Sequence, residues 1–358
     1  MSDAVLRRVR PEQFREVILL FVTIGLLIFF WTQVPNYFNP GTINRWTTGL
    51  PVPMIVAVGQ VMVVLTRNID LSVSSIVGLS AYVVGTLLTH HNGMPVALAV
   101  ALAVLLGLGL GAINGLIVAY GGVPAVVTTL GTLSLYRVAL VEYSGAKTVT
   151  TANLPDWMNG VPSKSIFSIA QYELRLLVAV ALAVVVVGQL VLRYLPFGRR
   201  LFAIGSNPDA ARVAGLPAQR DVFTAFAVSG ALSGLAGFIY LVRFGNITVT
   251  AGQGLELQAV AAVVVGGVNI FGGSGSMIGA FLGVVLIELL QQSLLRWQVV
   301  NEFAKDAILG LLILVAVTVD AIILGRLREM WVRTRRRDRE REQARATVSP
   351  REGVAHGA

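Results

Sequence analysis

Cysteine is absent from the 358 residues, so a disulfide framework, a thiolate nucleophile and a cysteine metal site are all closed to this chain. Charge is scarce as well: Asp, Glu, Lys and Arg make up 13% of the chain, against about 25% in a typical soluble domain. The charges are also unevenly spread. Residues 1–16 hold seven and residues 325–358 hold fifteen, which leaves 25 for the 308 residues between them. That is too little polar surface to solvate a globule of this size. Histidine occurs three times, at His90, His91 and His356, with no His-x-x-x-His pair and no nucleophile elbow. The glycine-rich run Gly266–Ser276 has no lysine after its glycines, so it is not a nucleotide loop; it reads as a tight interhelical turn, followed by close helix packing through Gly275, Gly279 and Gly283. A soluble enzyme, a disordered chain and a nucleic-acid binder are thereby poor readings. The net charge of +9 sits in the tails and loops, where it suits anionic lipid better than DNA.

What is present is apolar length. Hydrophobic residues make up 55% of the chain and the mean hydropathy is +0.74. A helix needs about 20 mostly apolar residues to cross a bilayer. Ten stretches qualify: 17–34, 46–66, 71–88, 95–119, 123–141, 174–195, 222–241, 255–270, 276–295 and 304–324. The second and third are separated only by Arg67–Asp70, and the eighth and ninth by glycines, so either pair is open to being a broken or re-entrant segment. The expectation is an all-α polytopic bundle of about ten transmembrane helices. It divides into an N-terminal segment 1–16, a membrane domain 17–324 and a basic tail 325–358, which is expected to be disordered. Arginines precede the first span, but no small-residue cleavage site follows it, so it is retained as a helix.

Basic residues orient the bundle. With ten spans and an inside N-terminus, the cytoplasmic loops are 67–70, 120–122, 196–221 and 271–275. Arg193, Arg199, Arg200, Arg212 and Arg220 then lie on or beside the largest of them, whereas the long 142–173 loop outside has only Lys147 and Lys164 as basic residues. Both termini are expected in the cytoplasm. A repeat at an offset of 201 matches Asn68-Ile69 to Asn269-Ile270, Ser75 to Ser276 and Gly78 to Gly279. Chance matching of glycine-rich helices is the alternative reading of it.

Ionisable residues within the apolar region are few. Asp70, Arg137, Glu288 and Asp320 stand out, too few for an ion relay or a charged filter ring. Weakly polar lining suits a neutral polar solute, and Asp70, Ser72, Arg137, Glu288 and Gln291 are the candidates for it. Asp70 as a helix cap is the plainer reading of that residue. Nothing here binds ATP, so energy must come from a partner. In loop 196–221, Asn207-Pro208 reads as a cap and first-turn proline, Asp209 suits the positive helix end, and Gly215 and Pro217 stop the helix. A short helix of small residues there makes a knob that can dock into another protein.

Four runs resemble a known family: Leu65–Val73, Thr129–Arg137, Phe197–Gly215 and Ala261–Gly275. They resemble the permease subunits of bacterial ABC importers for ribose, other monosaccharides, rhamnose and autoinducer-2, over roughly residues 45–320. The Thr-Arg-Asn-Ile-Asp form and the basic tail are similar to the rhamnose and autoinducer-2 branch. The resemblance implies an inner-membrane subunit without a cofactor or catalytic residues. It pairs with a second permease copy or relative, with separate ATPase subunits and with a periplasmic solute-binding protein. It also implies that Asp209, Ala210, Ala211 and Gly215 form the ATPase-coupling segment, with aspartate where the family pattern has glutamate, and that Asp70 and Ser72 organise the start of the third span. A self-sufficient carrier or channel is the rival reading.

Overall fold

The computed structural model describes residues 11–297, apart from 163, 170 and 171, and residues 304, 307, 308, 310, 311, 314 and 318. Contacts divide the chain into one unit over Met1–Ile313 and another over Leu314–Ala358; the architecture below is that of the first. In chain order the helices are α1 (Pro11–Gln33), α2 (Pro40–Gly49), α3 (Pro51–Leu65), α4 (Val73–His90), α5 (Val96–Ala119), α6 (Ala125–Ser144), α7 (Asp156–Gly160), α8 (Leu176–Tyr194), α9 (Pro196–Ser206), α10 (Pro208–Val213), α11 (Ala218–Phe244), α12 (Leu255–Val265) and α13 (Met277–Trp297). A hairpin of β1 (Ser165–Ile169) and β2 (Tyr172–Arg175) sits between α7 and α8.

Eight helical stretches among the described residues are long and apolar enough to cross a membrane. They match eight of the ten expected spans, with α2 and α3 together forming one. The expected span 255–270 is shorter: α12 has 11 residues, about 16 Å of helix, or half a bilayer. Its C-terminal end is fixed by Gly266 and Gly267, the latter at φ 86°. The expected span 304–324, Asp320 within it and the tail 325–358 lie in or beyond the sparsely described end of the chain. The long loop is not bare coil, since it contains α7 and the hairpin.

Many large apolar side chains face outward on this bundle, while polar ones are enclosed within its apolar core. Phe21, Trp31, Leu105, Val127 and Leu135 are exposed, whereas Gln60, Asp70, Asn114, Ser229 and Ser233 are fully buried. In water that arrangement would be a liability; in lipid the exposed residues meet their own kind.

The core is organised by α11, which packs on α3, α4 and α5. Its contact with α5 is backbone to backbone. The buried face of α5 carries Ala99, Ala103, Gly107, Gly111 and Gly115, one small residue every fourth position. A Cβ at Gly107 would come within 2.2 Å of the Gly230 carbonyl oxygen, and one at Gly234 within 2.1 Å of the Ala103 carbonyl oxygen. Small residues at this spacing let helices approach closely without a hydrophobic driving force. The same device joins α12 to α13, where a Cβ at Gly279 would meet the Gly266 oxygen at 2.1 Å and one at Gly283 the Ala262 oxygen at 2.0 Å. The sequence reading expected helix packing through Gly275, Gly279 and Gly283; the latter two serve it, while Gly275 belongs to the preceding turn.

Aromatics hold α1 to α13. Tyr37 is buried, stacks on Phe30, packs tilted against Trp46, and shares a 2.6 Å hydrogen bond with Ser293.

Candidate functional site

Two interrupted helices meet at Glu288. The first interruption separates α2 from α3 at Leu50, where Pro51 and Pro53 contribute no N–H to the helical ladder. The second is the start of α12, capped by Gly254 at φ 88°. Glu288 of α13 is buried between them. Gln292 donates to its Oε1 at 2.9 Å, and Gln258, in the first turn of α12, donates to its Oε2 at 3.4 Å. Gln258 also donates to Gln291 Oε1 at 3.3 Å. The Glu288 side chain lies directly on Gly49, where an added Cβ would overlap the carboxylate. Arg243 donates to the Gly49 carbonyl at 3.3 Å and feels the charge of Glu288. The glutamines are half-buried, so the patch offers amide donors, amide acceptors and one carboxylate at a partly open face. Glu288 and Gln291 were expected as lining, and Gln292 lies one turn from Glu288 on the same helix; Gln258 and Arg243 were not foreseen, because only the fold brings 49, 243, 258 and 288 together.

Asp70 and Ser72 stand elsewhere, fully buried. Asp70 Oδ1 accepts from the Ser72 N–H at 3.1 Å and its hydroxyl at 2.6 Å, while Ser229 of α11 donates to Oδ2 at 3.2 Å. Asn114 of α5 donates to Ser72 Oγ at 2.7 Å. Gln60 of α3 brackets the Asp70 peptide, donating to its carbonyl at 3.1 Å and accepting from its N–H at 3.2 Å in the amide orientation that satisfies both. Asp70 therefore organises the start of α4 and joins α3, α5 and α11 to it. This network encloses both side chains. Burial pushes the Asp70 carboxyl above its ordinary value, against the hydrogen bonds of Ser72 and Ser229 that lower it. Arg137 likewise holds structure: it donates to the carbonyls of Val249 at 2.9 Å and Ala251 at 2.8 Å, pinning the segment that leads into α12.

At the end of the bundle that carries residues 66–72, the short helix stands where the sequence suggested. Asn207 accepts from the Ala210 N–H at 3.0 Å, Pro208 occupies the first turn, and Gly215 closes α10 at φ 74°. Asp209, Ala210 and Gly215 are exposed, whereas Ala211 is buried against the rest of the chain. Val213, which the sequence reading passed over, is 89% exposed. Arg200 of α9 forms a bidentate pair with Asp221 at the start of α11, at 2.6 and 2.9 Å, tying the helices on both sides of α10. That contact raises the Arg200 pKa above its ordinary value.

The α3–α4 turn meets this segment. Arg67, at φ 68°, donates from Nε to the Gly205 carbonyl at 2.6 Å and from Nη2 to the Ser206 carbonyl at 2.9 Å. The glycine-rich turn joins from the other side: Gly273 N–H donates to the Leu65 carbonyl at 3.0 Å, and Ser206 Oγ to the Gly273 carbonyl at 3.2 Å.

No cluster of three metal-ligating side chains occurs among the described residues. The chain is similar to three proteins named autoinducer 2 import system permease protein LsrC. That of Enterobacter sp. (strain 638) is 36% identical over 304 residues, covering 84% of each chain. That of Yersinia enterocolitica is 35% identical over 337 residues, covering 94% of this chain and 89% of the relative. That of Escherichia coli (strain K12 / DH10B) is 34% identical over 329 residues, covering 90% and 89%. No solved structure matches. Residues 42–317 match the family described as branched-chain amino acid transport system / permease component, and with its buried small-residue helix contacts and apolar exterior the chain belongs to that family of membrane transport subunits, which are not enzymes.

Proposed function

We propose that the chain is one membrane subunit of an ATP-driven importer for autoinducer 2 or a similar sugar-like solute, set in the bacterial inner membrane with both termini in the cytoplasm. The observation that carries the solute side is the patch of Gln258, Glu288, Gln291 and Gln292 where two interrupted helices converge. Such breaks expose polar backbone and helix ends within the membrane, and binding sites of transporters form there. A neutral solute rich in hydroxyls both donates and accepts, and amides answer it on both counts. The names of the relatives support autoinducer 2. The exposed Leu257 and Phe244 beside the patch suit a second permease subunit facing it across the route. Asp70, Ser72 and Arg137 fasten helices beside that route.

The energy side rests on α10. Asp209, Ala210, Val213 and Gly215 offer an exposed face to a separate ATPase subunit, and Ala211 seats the helix. A periplasmic binding protein delivers the solute to the opposite side.

The test is reconstitution with the cognate ATPase and binding protein, measuring uptake of labelled autoinducer 2, rhamnose and leucine. ATP-dependent uptake of autoinducer 2, reduced at least tenfold by Glu288→Ala and less by Gln258→Ala, is the expected result. Uptake by this chain alone would favour a self-sufficient carrier. Undiminished uptake by Glu288→Ala would remove the patch from the route.

A further inference from the structure

We propose that Arg67 is a positioning residue that fastens the coupling segment α9–α10 to the turns below both interrupted helices, so that movement of one is transmitted to the other; this rests on the coupling reading of α10. Three segments distant in sequence meet at Gly205. Arg67 reaches the carbonyls of Gly205 and Ser206, which end α9 immediately before the Asn207 cap of α10. Gly273 bonds the Leu65 carbonyl at the end of α3. The fit leaves no slack, since a Cβ at Gly205 would come within 1.8 Å of the Leu65 oxygen and 2.4 Å of the Gly273 nitrogen. Through Gly273 the contact reaches the turn that joins α12 to α13, the helices carrying Gln258 and Glu288.

The choice of arginine is itself informative. The turns after α3 and α12 have the same backbone design: Arg67 N–H bonds Val64 O and Asn68 N–H bonds Val63 O, just as Gly267 N–H bonds Val264 O and Val268 N–H bonds Val263 O. Both turns need a left-handed residue, at φ 68° and 86°. The second turn uses glycine, which adopts this conformation freely; the first uses arginine, which does not. A position that glycine would fill with less strain carries arginine, and what the arginine adds is a fork that holds two carbonyls at once. Lysine carries the same charge with all three donors on one nitrogen and cannot reproduce the spaced Nε and Nη2 donors.

The experiment compares wild type, Arg67→Ala, Arg67→Lys and Ser206→Ala in liposomes that also contain the ATPase, with the binding protein and solute supplied. Solute uptake, ATP hydrolysis and the amount of assembled complex are measured together. The expected result is complex formation and hydrolysis within about twofold of wild type, with uptake per ATP reduced tenfold or more in Arg67→Ala, partly restored in Arg67→Lys, and reduced less in Ser206→Ala. Wild-type uptake per ATP in Arg67→Ala would overturn the proposal. So would uptake and hydrolysis falling together in proportion to assembled complex, because that is the signature of a residue that only stabilises. Where Arg67→Ala does not accumulate in the membrane, Arg67→Lys is read in its place, and a wild-type ratio there overturns the proposal equally. Failure of the wild-type assembly to couple hydrolysis to uptake would instead overturn the importer reading on which the proposal rests.

Discussion

At the residue scale, the most instructive side chains are those whose surroundings contradict their chemistry. Val213 is apolar and almost fully exposed on a short helix; Asp70 is ionisable and fully buried. Burying a valine is worth about 1.5–3 kcal/mol, and an unpaired carboxylate in the same place costs more. Val213→Asp should therefore weaken ATPase association by about tenfold to a hundredfold at unchanged membrane abundance, measured by pull-down. Asp209→Ala should do less, since a charge at a helix start contributes about 0.3–1 kcal/mol.

Asp70 gives a second prediction. Asp70→Ala strands the Ser72 N–H, the Ser72 hydroxyl and the Ser229 hydroxyl, each costing about 1–3 kcal/mol if left unpaired. Asp70→Asn keeps an acceptor for Ser72, and Ser229 can rotate to accept, so it should lose much less. Thermal unfolding in detergent should rank wild type, Asn and Ala in that order at mildly acidic pH. The sign of the pH effect follows from the raised carboxyl. The folded chain binds this proton more tightly than the unfolded chain, so the contribution of Asp70 to stability declines as pH climbs from its ordinary value of 3.8 through the raised one. Asp70→Asn should flatten that part of the pH profile; an unaltered slope would contradict the assignment.

At the element scale, close backbone approach decides the fold. Gly230→Leu puts a side chain where a Cβ alone would come within 2.3 Å of the Gly107 oxygen. Overpacking a tight contact costs about 1–3 kcal/mol, and here backbone rather than a flexible side chain blocks the way, so the loss should be at the upper end or beyond. Gly109→Leu, on the partner helix α5 but with open space around it, should be tolerated. Comparing the two by membrane abundance and melting temperature isolates the interface from general helix propensity.

Much of this level was legible in the sequence. Apolar runs gave eight helices, and Asn207-Pro208 gave the start of α10, because both signals are local. The stripe Ala99–Gly115 was legible too, by the same four-residue spacing noticed at Gly279 and Gly283. That the segment holding α12 is broken was left open by its glycines; where α12 ends was not legible, because the apolar run continues through Gly266 and Gly267 and only the left-handed turn ends it. The sequence matches through Asn68 and Asn269 fall at an offset of 201, whereas the matching hydrogen bonds of the two turns fall at 200. Gly215 was legible as the stop of this helix, and its positive φ at the end of α10 fits that reading. The Glu288 patch was only half visible, because Gly49, Arg243 and Gln258 reach it from remote parts of the chain.

At the scale of the whole molecule, the absence of cysteine is an experimental convenience. Single cysteines at Val213 and Phe167, both exposed, report sidedness without a background. A membrane-impermeant maleimide should label Val213→Cys only in inside-out vesicles and Phe167→Cys only in intact spheroplasts. Labelling of both from one side would overturn the proposed orientation.

The backbone contact between α5 and α11 has a mechanical consequence. Where side chains interdigitate, helices slide by exchanging rotamers in small increments. Here carbonyl oxygens sit in notches left by Gly107, Gly111, Gly230 and Gly234, so the next matching register is four residues away, about 6 Å. The pair is thus a keel: it can tilt as one piece but cannot shear. Whatever alternation of access the transport cycle demands has to hinge on the parts held by side chains, such as the aromatic seam between α1 and α13, and leave this axis unbent.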